Sequence, residues 1–396
     1  MDRRAPVLLA LRFALGAPLL VAACSSGSST SGEAKGGDDA GSAAPPLEDA
    51  SSSRASATDG GGGVGATGDA AGGGDGSAGP AGSNPIPGQP LPDDGGAPAG
   101  FWDSSNIPAA KNVMMFKFLN RTNGKYQDSE VYWSFKNGTI AETHSIADQP
   151  TYDMPANPSG RMYFYLCAKG DTTCASDPTK AKYYDFIEHT IGATQYNGNT
   201  TRVDAFGIKI AMRLHCADGY DIAVGENYAT FAEDRAATFQ AFINEVPAAF
   251  QALAQPPYAP YRIVQPGTDS FKTGGANANY YDSFVDSLWA ANGITVAKPG
   301  PNGSGLGSYP DLSAAIYRHV GNVAGTFSAA GKLLDKTLWS NASTFYTAAP
   351  MDYYARFWHE RALNGKAYGF PYDDVGGYSS YISHSNPRYM LVALAW

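Results

Sequence analysis

Alternation of apolar and polar positions dominates the chain between residue 110 and residue 215. Runs in which apolar or aromatic side chains recur at every second position predict strands, because successive side chains of a strand point to opposite faces. Asn-Gly turn signals at 121–124 and 136–138 separate the first runs. The predicted early strands are 113–119, 130–135, 161–166, 183–190 and 201–214.

The hydrophobic period lengthens to that of a helix after residue 230. Glu233 or Asp234 can cap a helix that Pro247 kinks or divides. Its apolar residues recur at helical spacing: Phe239, Phe242, Ile243, Val246 and Phe250. Two further helices and two further strands are predicted: helices at 280–292, before Gly293, and around 353–363, and strands at 314–320 and 390–396.

This order of elements predicts a mainly β fold with an inserted α/β part. Strands come first and helices are then inserted among strands, which indicates an α+β arrangement or a β domain that carries a mixed α/β subdomain at about 230–350. The folded part is expected to span 100–396, which suffices for one large domain or two closely joined ones. A cleft between the two parts is the default binding site.

The first 24 residues have the pattern of a secretory signal. Arg3 and Arg4 precede an apolar run that only Arg12 interrupts, and small residues lead directly to Cys24. This ending resembles a bacterial lipobox, so we expect residues 1–23 to be removed and Cys24 to be acylated. The alternative is an ordinary signal peptide with an incidental cysteine. The protein is therefore expected to be exported, either lipid-anchored to the bacterial outer membrane or cell surface, or secreted.

Residues 24–99 consist almost entirely of Gly, Ala, Ser, Asp and Pro. Such a segment cannot bury enough apolar surface to offset its ordering entropy, so we expect a disordered tether with a root-mean-square span of about 50 Å. Ten acidic and two basic residues give it a net charge of −8, and the first 24 residues contribute +2, so only −3 of the total −9 belongs to 100–396. The folded part lacks the basic stripe that binds nucleic acid, and we expect a monomer with no nucleic-acid partner.

Cysteine and histidine usage indicates export and no metal chemistry. Cys167 and Cys174 bracket a short polar loop and can close a disulfide in an oxidising compartment. Cys216 is then left over, as a buried small residue at a strand end rather than a nucleophile. The six histidines have no ligand spacing. We expect no metal and no cofactor.

Two carboxylates, Glu188 and Asp204, lie on what the alternation predicts to be neighbouring strands. Arg202 and Phe206 share the face of Asp204, and the Gly/Asn-rich stretch 192–199 favours a hairpin that brings the two acids close together. A carboxylic acid and a carboxylate are the pair that glycoside hydrolysis needs. An acid on a strand face is, however, usually solvated or salt-bridged.

Aromatic residues are dense in the folded part, which contains all six Trp. Any one of them is best interpreted as a core residue or a residue of a β-face. Together with neighbouring Asn, Gly and Thr they also suit a surface that stacks on sugar rings, and composition alone does not separate these two interpretations.

Five segments resemble glycoside hydrolase family 64, the β-1,3-glucanases, in order and spacing. They are Ile187-Glu-His-Thr190, Val203-Asp-Ala-Phe-Gly207, Tyr368-Gly-Phe-Pro-Tyr-Asp-Asp-Val375, Ile382-Ser-His-Ser-Asn-Pro387 and Tyr389-Met-Leu-Val392. The resemblance extends over about 107–396. The chain departs from the pattern at His189, where the family more often has an aromatic residue. Three cysteines in this part favour the bacterial glucanases over the disulfide-rich plant thaumatin-like proteins.

The resemblance implies a thaumatin-like β-sandwich or barrel core, a mixed α/β subdomain and a wide cleft between them. It implies an inverting endo-β-1,3-glucanase that cuts linear β-1,3-glucan of the laminarin or curdlan type into short oligosaccharides. It places the general acid on Glu188 and the general base on Asp204. Asp185 is the rival of Glu188, but alternation turns it to the opposite face.

Four further residues are candidates for binding the substrate. Tyr372, Asp373 and Asp374 are assigned to the groove wall, where the acids can bind sugar hydroxyls; alternatively these acids cap a turn. Thr190 is a candidate contact for a glucose hydroxyl, or it forms a cross-strand hydroxyl contact. A glucan-binding thaumatin-like module without catalysis is the main alternative function, and an inhibitor or cell-wall interaction protein is a third.

Overall fold

The computed structural model describes residues 96–138, 140–304, 309–321 and 341–396. The predicted signal segment, Cys24 and the tether up to residue 95 lie outside these ranges. Within them the chain is mainly β, with thirteen strands. The strands are β1 Met114–Asn120, β2 Val131–Asn137, β3 Ile140–Ser145, β4 Thr151–Met154, β5 Asn157–Leu166, β6 Tyr183–Ile191, β7 Gln195–Thr200, β8 Ala205–Phe206, β9 Lys209–Cys216, β10 Asp221–Gly225, β11 Ile263–Val264, β12 Tyr381–Ser385 and β13 Pro387–Ala395.

The fold has two parts, and two large sheets form one of them. One has five strands in the order β10-β9-β13-β1-β4, and the other has six in the order β12-β7-β6-β5-β2-β3. All neighbouring strands in these two sheets are antiparallel except β1 and β13, which run parallel. A third sheet pairs the short strands β8 and β11.

The two large sheets pack face to face over one apolar core. Phe118 of the five-stranded sheet stacks on Trp133 of the six-stranded sheet with ring centroids 5.1 Å apart. Tyr196 donates its hydroxyl across the same interface to Met212 Sδ at 3.6 Å. Because each strand turns alternate residues inward, the opposite face of the six-stranded sheet is free to carry polar residues.

A second apolar core is built mainly from helices. The described helices are α1 Tyr228–Ala232, α2 Arg235–Glu245, α3 Ala248–Gln251, α4 Asp282–Asn292, α5 Pro310–Tyr317 and α6 Tyr353–Glu360. Asp234 is the N-cap residue of α2, and Pro247 divides α2 from α3, as predicted. Gly293 ends α4 with a φ of 57°, a conformation that glycine adopts at little cost.

Two predicted strands are wrong. The stretch 201–214 contributes β8 to the small sheet and β9 to the five-stranded sheet, so it is not one strand. The stretch 314–320 lies largely in helix α5, where Leu312, Ala315 and Ile316 are buried at helical spacing. Four consecutive apolar or aromatic residues favoured a strand, whereas the proline at the first helical position and the acidic residue after it are signals for a helix start.

His189 occupies a core position of β6 as an aromatic residue would. Its ring lies 6.0 Å from Phe116 and 5.7 Å from Phe135, and its Nδ1 lies 3.3 Å from the Asn157 amide nitrogen. Nε2 is buried without a hydrogen-bond partner among the described residues. Burial lowers the pKa of His189 to about 4. The imidazole is therefore neutral in the folded protein at neutral pH.

We expect His189→Phe to reduce the loss of stability that acid causes. Between the ordinary histidine pKa of about 6.5 and about 4, the unfolded chain binds a proton that the folded protein does not, so the free energy of unfolding falls by about 3 kcal/mol as the pH is lowered. In the phenylalanine variant the free energy of unfolding should therefore fall by about 3 kcal/mol less over the same pH range. Urea unfolding at pH 7 and pH 4 measures it, with His144→Phe on the surface of β3 as the control. An unchanged pH dependence in His189→Phe would refute the assignment.

Candidate active site

Glu188 lies on the face of β6 that points away from the sandwich core. Its neighbours Ile187 and His189 are buried, whereas the Glu188 side chain is 26% exposed. The cross-strand partners of Glu188 are Arg161 on β5 and Asn199 on β7. The alternation predicted for β6 is therefore confirmed, and this outer face carries polar and aromatic side chains that solvent can reach.

Asp204 does not lie on a strand next to Glu188, so the predicted hairpin of 183–190 with 201–214 is wrong. Most of the expected connection at 192–199 is instead part of strand β7, which pairs with β6. Asp204 follows in the segment that leaves the six-stranded sheet and enters β8. Its side chain is 41% exposed, while Arg202 and Phe206 are buried. Residues 201–204 lie outside a strand, so the alternation that would place the three side chains on one face does not apply.

A buried ion cluster anchors the segment that carries Asp204. Arg202 pairs with Asp185 at 2.8 Å and with Glu226 at 2.6 Å. Its backbone amide donates to the carbonyl of Tyr368 at 2.7 Å, and its own carbonyl accepts the Tyr354 hydroxyl at 2.7 Å. Because these groups are buried and paired, the chain on the N-terminal side of Asp204 has a fixed course.

The small sheet fixes the other side of Asp204. The Asp204 carbonyl accepts the amide of Gln265 at 3.3 Å, next to the ladder between β8 and β11. A Cβ on Gly207 would overlap the Arg262 guanidinium and the Tyr184 carbonyl, so only glycine fits there. The Arg262 guanidinium lies 3.5 Å from the Tyr184 ring centroid. These contacts join the helical core to the six-stranded sheet beside Asp204.

Arg161 brings the two acids together. Its Nη2 lies 2.8 Å from Glu188 Oε1, and its Nη1 lies 3.6 Å from Asp204 Oδ2. Since one guanidinium spans both contacts, the two carboxylate oxygens are at most about 9 Å apart. This bound includes separations of about 6.5 Å and more, at which a water molecule fits between the acids of an inverting glycosidase.

Burial raises the pKa of Asp204 above its ordinary value. The positive charges of Arg161 and Arg262 oppose the rise, and the negative charge of Asp185 adds to it. Asp185 itself is buried, and its Oδ2 accepts the amides of Gly207 at 2.8 Å and Ile208 at 3.3 Å. Asp185 therefore points inward, as predicted, and serves the buried ion cluster rather than the open face.

The expected role of Asp373 in the groove wall requires correction. Its side chain is 0% exposed and is held by Arg318 at 2.8 Å, His359 at 2.9 Å and the Gly369 amide at 2.8 Å. A carboxylate enclosed in this way cannot reach a polysaccharide. Its bond to the Gly369 amide, four residues back, closes the loop that precedes Asp373. Asp374, the next residue, is exposed.

The remaining candidates, Thr190 and Tyr372, are both partly accessible to solvent. Thr190 is half-buried two residues beyond Glu188 on the same face, and Tyr372 is half-buried with a φ of 71°. Tyr368 was not assigned a role from the sequence, although it stands in one of the segments of family resemblance. Burial raises the pKa of Tyr368, and the negative charges of Asp374, Asp373 and Glu188 add to the rise. Tyr368 therefore lies within electrostatic range of Glu188.

Arg161 and Asn199 were also missed by the sequence reasoning. The signal for Arg161 was its place at the start of a predicted strand, but which residue of β6 it faces depends on register, which the sequence did not give. The Asn199 side-chain oxygen is buried next to Glu188 and has no partner among the described residues.

The described part of the chain has neither a reactive cysteine nor a metal cluster that would compete with the carboxylate pair. Cys167 and Cys174 form a disulfide, and burial raises the pKa of the Cys216 thiol to about 12. Within 96–138, 140–304, 309–321 and 341–396 no cluster of His, Cys, Asp or Glu is arranged to hold a metal ion. The helices in these ranges are all too short or too polar to span a bilayer.

Sequence comparison connects this arrangement to one enzyme family. The model of glycoside hydrolase family 64, described as beta-1,3-glucanase, matches residues 146–296 and 308–394. A glucan endo-1,3-beta-glucosidase of Arthrobacter sp. (strain YCWD3) is 26% identical over 263 residues, which cover 55% of this chain and 46% of that protein. The chain thus spans about half the length of this curated relative.

Solved structures give the same connection. A laminaripentaose-producing β-1,3-glucanase of family 64 from Paenibacillus barengoltzii is 30% identical, with a TM-score of 0.58, over 74% of this chain and 78% of that one. The structure of the Paenibacillus barengoltzii enzyme complexed with laminarihexaose superimposes with a TM-score of 0.59 at 28% identity, over the same 74% and 78% of the two chains.

Proposed function

This chain belongs to glycoside hydrolase family 64, the β-1,3-glucanases, and from that membership we propose that it hydrolyses internal bonds of linear β-1,3-glucan and releases short oligosaccharides. The observation that carries the proposal is the pair of solvent-accessible carboxylates, Glu188 and Asp204, joined by one arginine on an open polar face. Two such carboxylates are the groups that glycoside hydrolysis requires.

The proposed reaction inverts the anomeric carbon in a single displacement. Protonated Glu188 donates a proton to the oxygen of the leaving sugar, while ionised Asp204 takes a proton from a water molecule that attacks from the opposite face. The mechanism requires about 6.5 to 9.5 Å between the two carboxyl groups to admit this water, and the upper bound of about 9 Å set by Arg161 is compatible with that range. Asp204 suits the role of base because the positive charges of Arg161 and Arg262 favour its ionised form against the rise in pKa that burial causes.

We propose that the outer face of the six-stranded sheet binds the glucan on both sides of this pair. Thr190 and Asp374 offer hydroxyl and carboxylate groups for sugar hydroxyls, and Tyr372 supplies an aromatic ring. The exposed ring of Tyr381, on β12, extends the same face. Support comes from the family relative solved with laminarihexaose. We further propose that the two-sheet core is thaumatin-like and that the substrate lies between this core and the helical part.

A non-catalytic glucan-binding module is the second candidate, because the same face would bind glucan without cleaving it. Proton NMR of a fresh incubation of the full chain with laminarin separates the possibilities. We expect soluble oligosaccharides whose new reducing ends are first α and then mutarotate. Bound glucan without soluble product would favour the module, and new ends that are first β would rule out the inverting mechanism.

We propose that the protein is exported and anchored through acylated Cys24, which is supported by the signal-like pattern before it. In a bacterium that expresses the full chain, labelled palmitate should enter the protein and remain with the membrane fraction. Cys24→Ser is expected to lose the label. A wild-type protein that is unlabelled and wholly soluble would contradict the anchor.

A further inference from the structure

Arg161 is held rigidly between the two carboxylates. It is the cross-strand partner of Glu188, and its Nε donates to Glu188 Oε1 at 2.9 Å in addition to the Nη2 contact. The guanidinium lies 4.2 Å from the ring centroid of Phe186, which is buried beneath it. A planar cation with a ring below it and an acid on each side has one preferred orientation.

This placement creates a conflict with the role of a general acid. Glu188 has to carry a proton when the substrate binds, whereas a guanidinium in contact with it favours the ionised form. Two carboxylates within about 9 Å of each other would, without a cation, raise each other's pKa. Arg161 therefore acts on both acids at once and in the same direction.

On the basis of the proposed hydrolysis, we propose that Arg161 is the positioning residue that sets the working pH range of the site. It fixes the Glu188 carboxylate against the sheet, and its charge shifts the proton release of both Glu188 and Asp204 to lower pH. The enzyme then works in a more acidic range than the same pair of acids would without the arginine.

The other charged groups near the pair do not duplicate this role. Besides the two acids, Tyr163 faces Arg161 and raises its pKa. Asp204 also faces Asp185, which raises its pKa, and Arg262, which lowers it, so these two charges act on Asp204 in opposite directions. Glu188 in addition faces Tyr368.

The charge of Arg161 can be removed while a polar side chain remains. In Arg161→Gln we expect both limbs of the bell-shaped profile of kcat/KM against pH to move up by about one pH unit, because an opposite charge at this distance shifts a carboxyl pKa by about one to three units. In Arg161→Lys the positive charge stays beside the two acids, so the limbs should stay in place, whereas kcat should fall because an ammonium lacks the planar fork that fixes the Glu188 carboxylate. Arg213→Gln, which removes a similar two-nitrogen contact to Asp221 in the five-stranded sheet, is the matched control.

The dependence of kcat/KM on pH is first measured for the wild-type full chain with laminarin as the substrate. No hydrolysis by the wild type would remove the proposed function itself. An active wild type whose limbs do not move in Arg161→Gln would overturn the inference alone. If the glutamine variant does not fold, the lysine variant decides, because limbs that move by about one unit despite the retained charge would also overturn it.

Discussion

Glu188→Gln and Asp204→Asn are each expected to reduce kcat on laminarin by about 10²- to 10⁴-fold, with the protein still folded. Glutamine cannot donate the proton that the leaving oxygen needs, and asparagine cannot accept one from the attacking water. Both side chains stand at a solvent-accessible surface, so replacing either with an amide of the same shape leaves no buried charge without a partner. Reducing-end assays measure the activity, and thermal unfolding measures the fold.

Control variants and a substrate with an activated leaving group distinguish the general acid from the general base. Glu360→Gln and Asp286→Asn make the same chemical changes in exposed salt bridges elsewhere and should keep full activity. A glucan oligosaccharide with an activated aryl leaving group does not need protonation, so it should restore the rate of Glu188→Gln but not that of Asp204→Asn. Full activity on laminarin in either variant would remove that residue from the mechanism.

Asp373→Asn is expected to lower the free energy of unfolding by about 3–5 kcal/mol, because it leaves the buried Arg318 guanidinium without its counter-charge. Although burial opposes its charge, the pKa of Asp373 is held below its ordinary value by His359 and Arg318, which places a full negative charge in this pocket at neutral pH. The asparagine amide would also present donors to groups that already donate. Urea unfolding at pH 7 measures the change.

Asp374→Asn is the matched control, because it makes the same substitution one residue later at an exposed position. Its stability should change by no more than about 0.5 kcal/mol, whereas its KM for laminarin should rise if the carboxylate binds sugar hydroxyls. If Asp373→Asn unfolds like the wild type while its KM rises, Asp373 would be a substrate contact after all.

Local pattern predicted much of this fold. Alternation located β1, β2, β5, β6 and β13 to within a few residues, except at the start of β5, and placed Glu188 on the outer face, because a strand fixes the direction of its side chains residue by residue. Helical spacing with Asp234, Pro247 and Gly293 as boundary signals located α2, α3 and α4 in the same way.

The predictions that failed concern residues whose positions depend on contacts with distant parts of the chain. The stretch 195–200, with two Asn and one Gly, has the composition of a turn, yet it forms β7 because β6 and β12 supply partners on both sides. The course of 201–206 is determined by Arg202, whose partners Asp185 and Glu226 lie 17 and 24 positions away. Asp373 was misassigned for the same reason, because its burial depends on Arg318, 55 positions earlier.

The parallel pairing of β1 with β13 has a consequence for how this protein is made. Partners such as Met115 and Tyr389 lie 274 positions apart, and β13 stands between β1 and β9 in the middle of its sheet. The sheet cannot close until residues 387–395 have left the ribosome, and contacts of such long range form slowly. Until that point β1 and β9 lack the strand that lies between them, so the apolar core that this sheet shares with the six-stranded sheet cannot form completely.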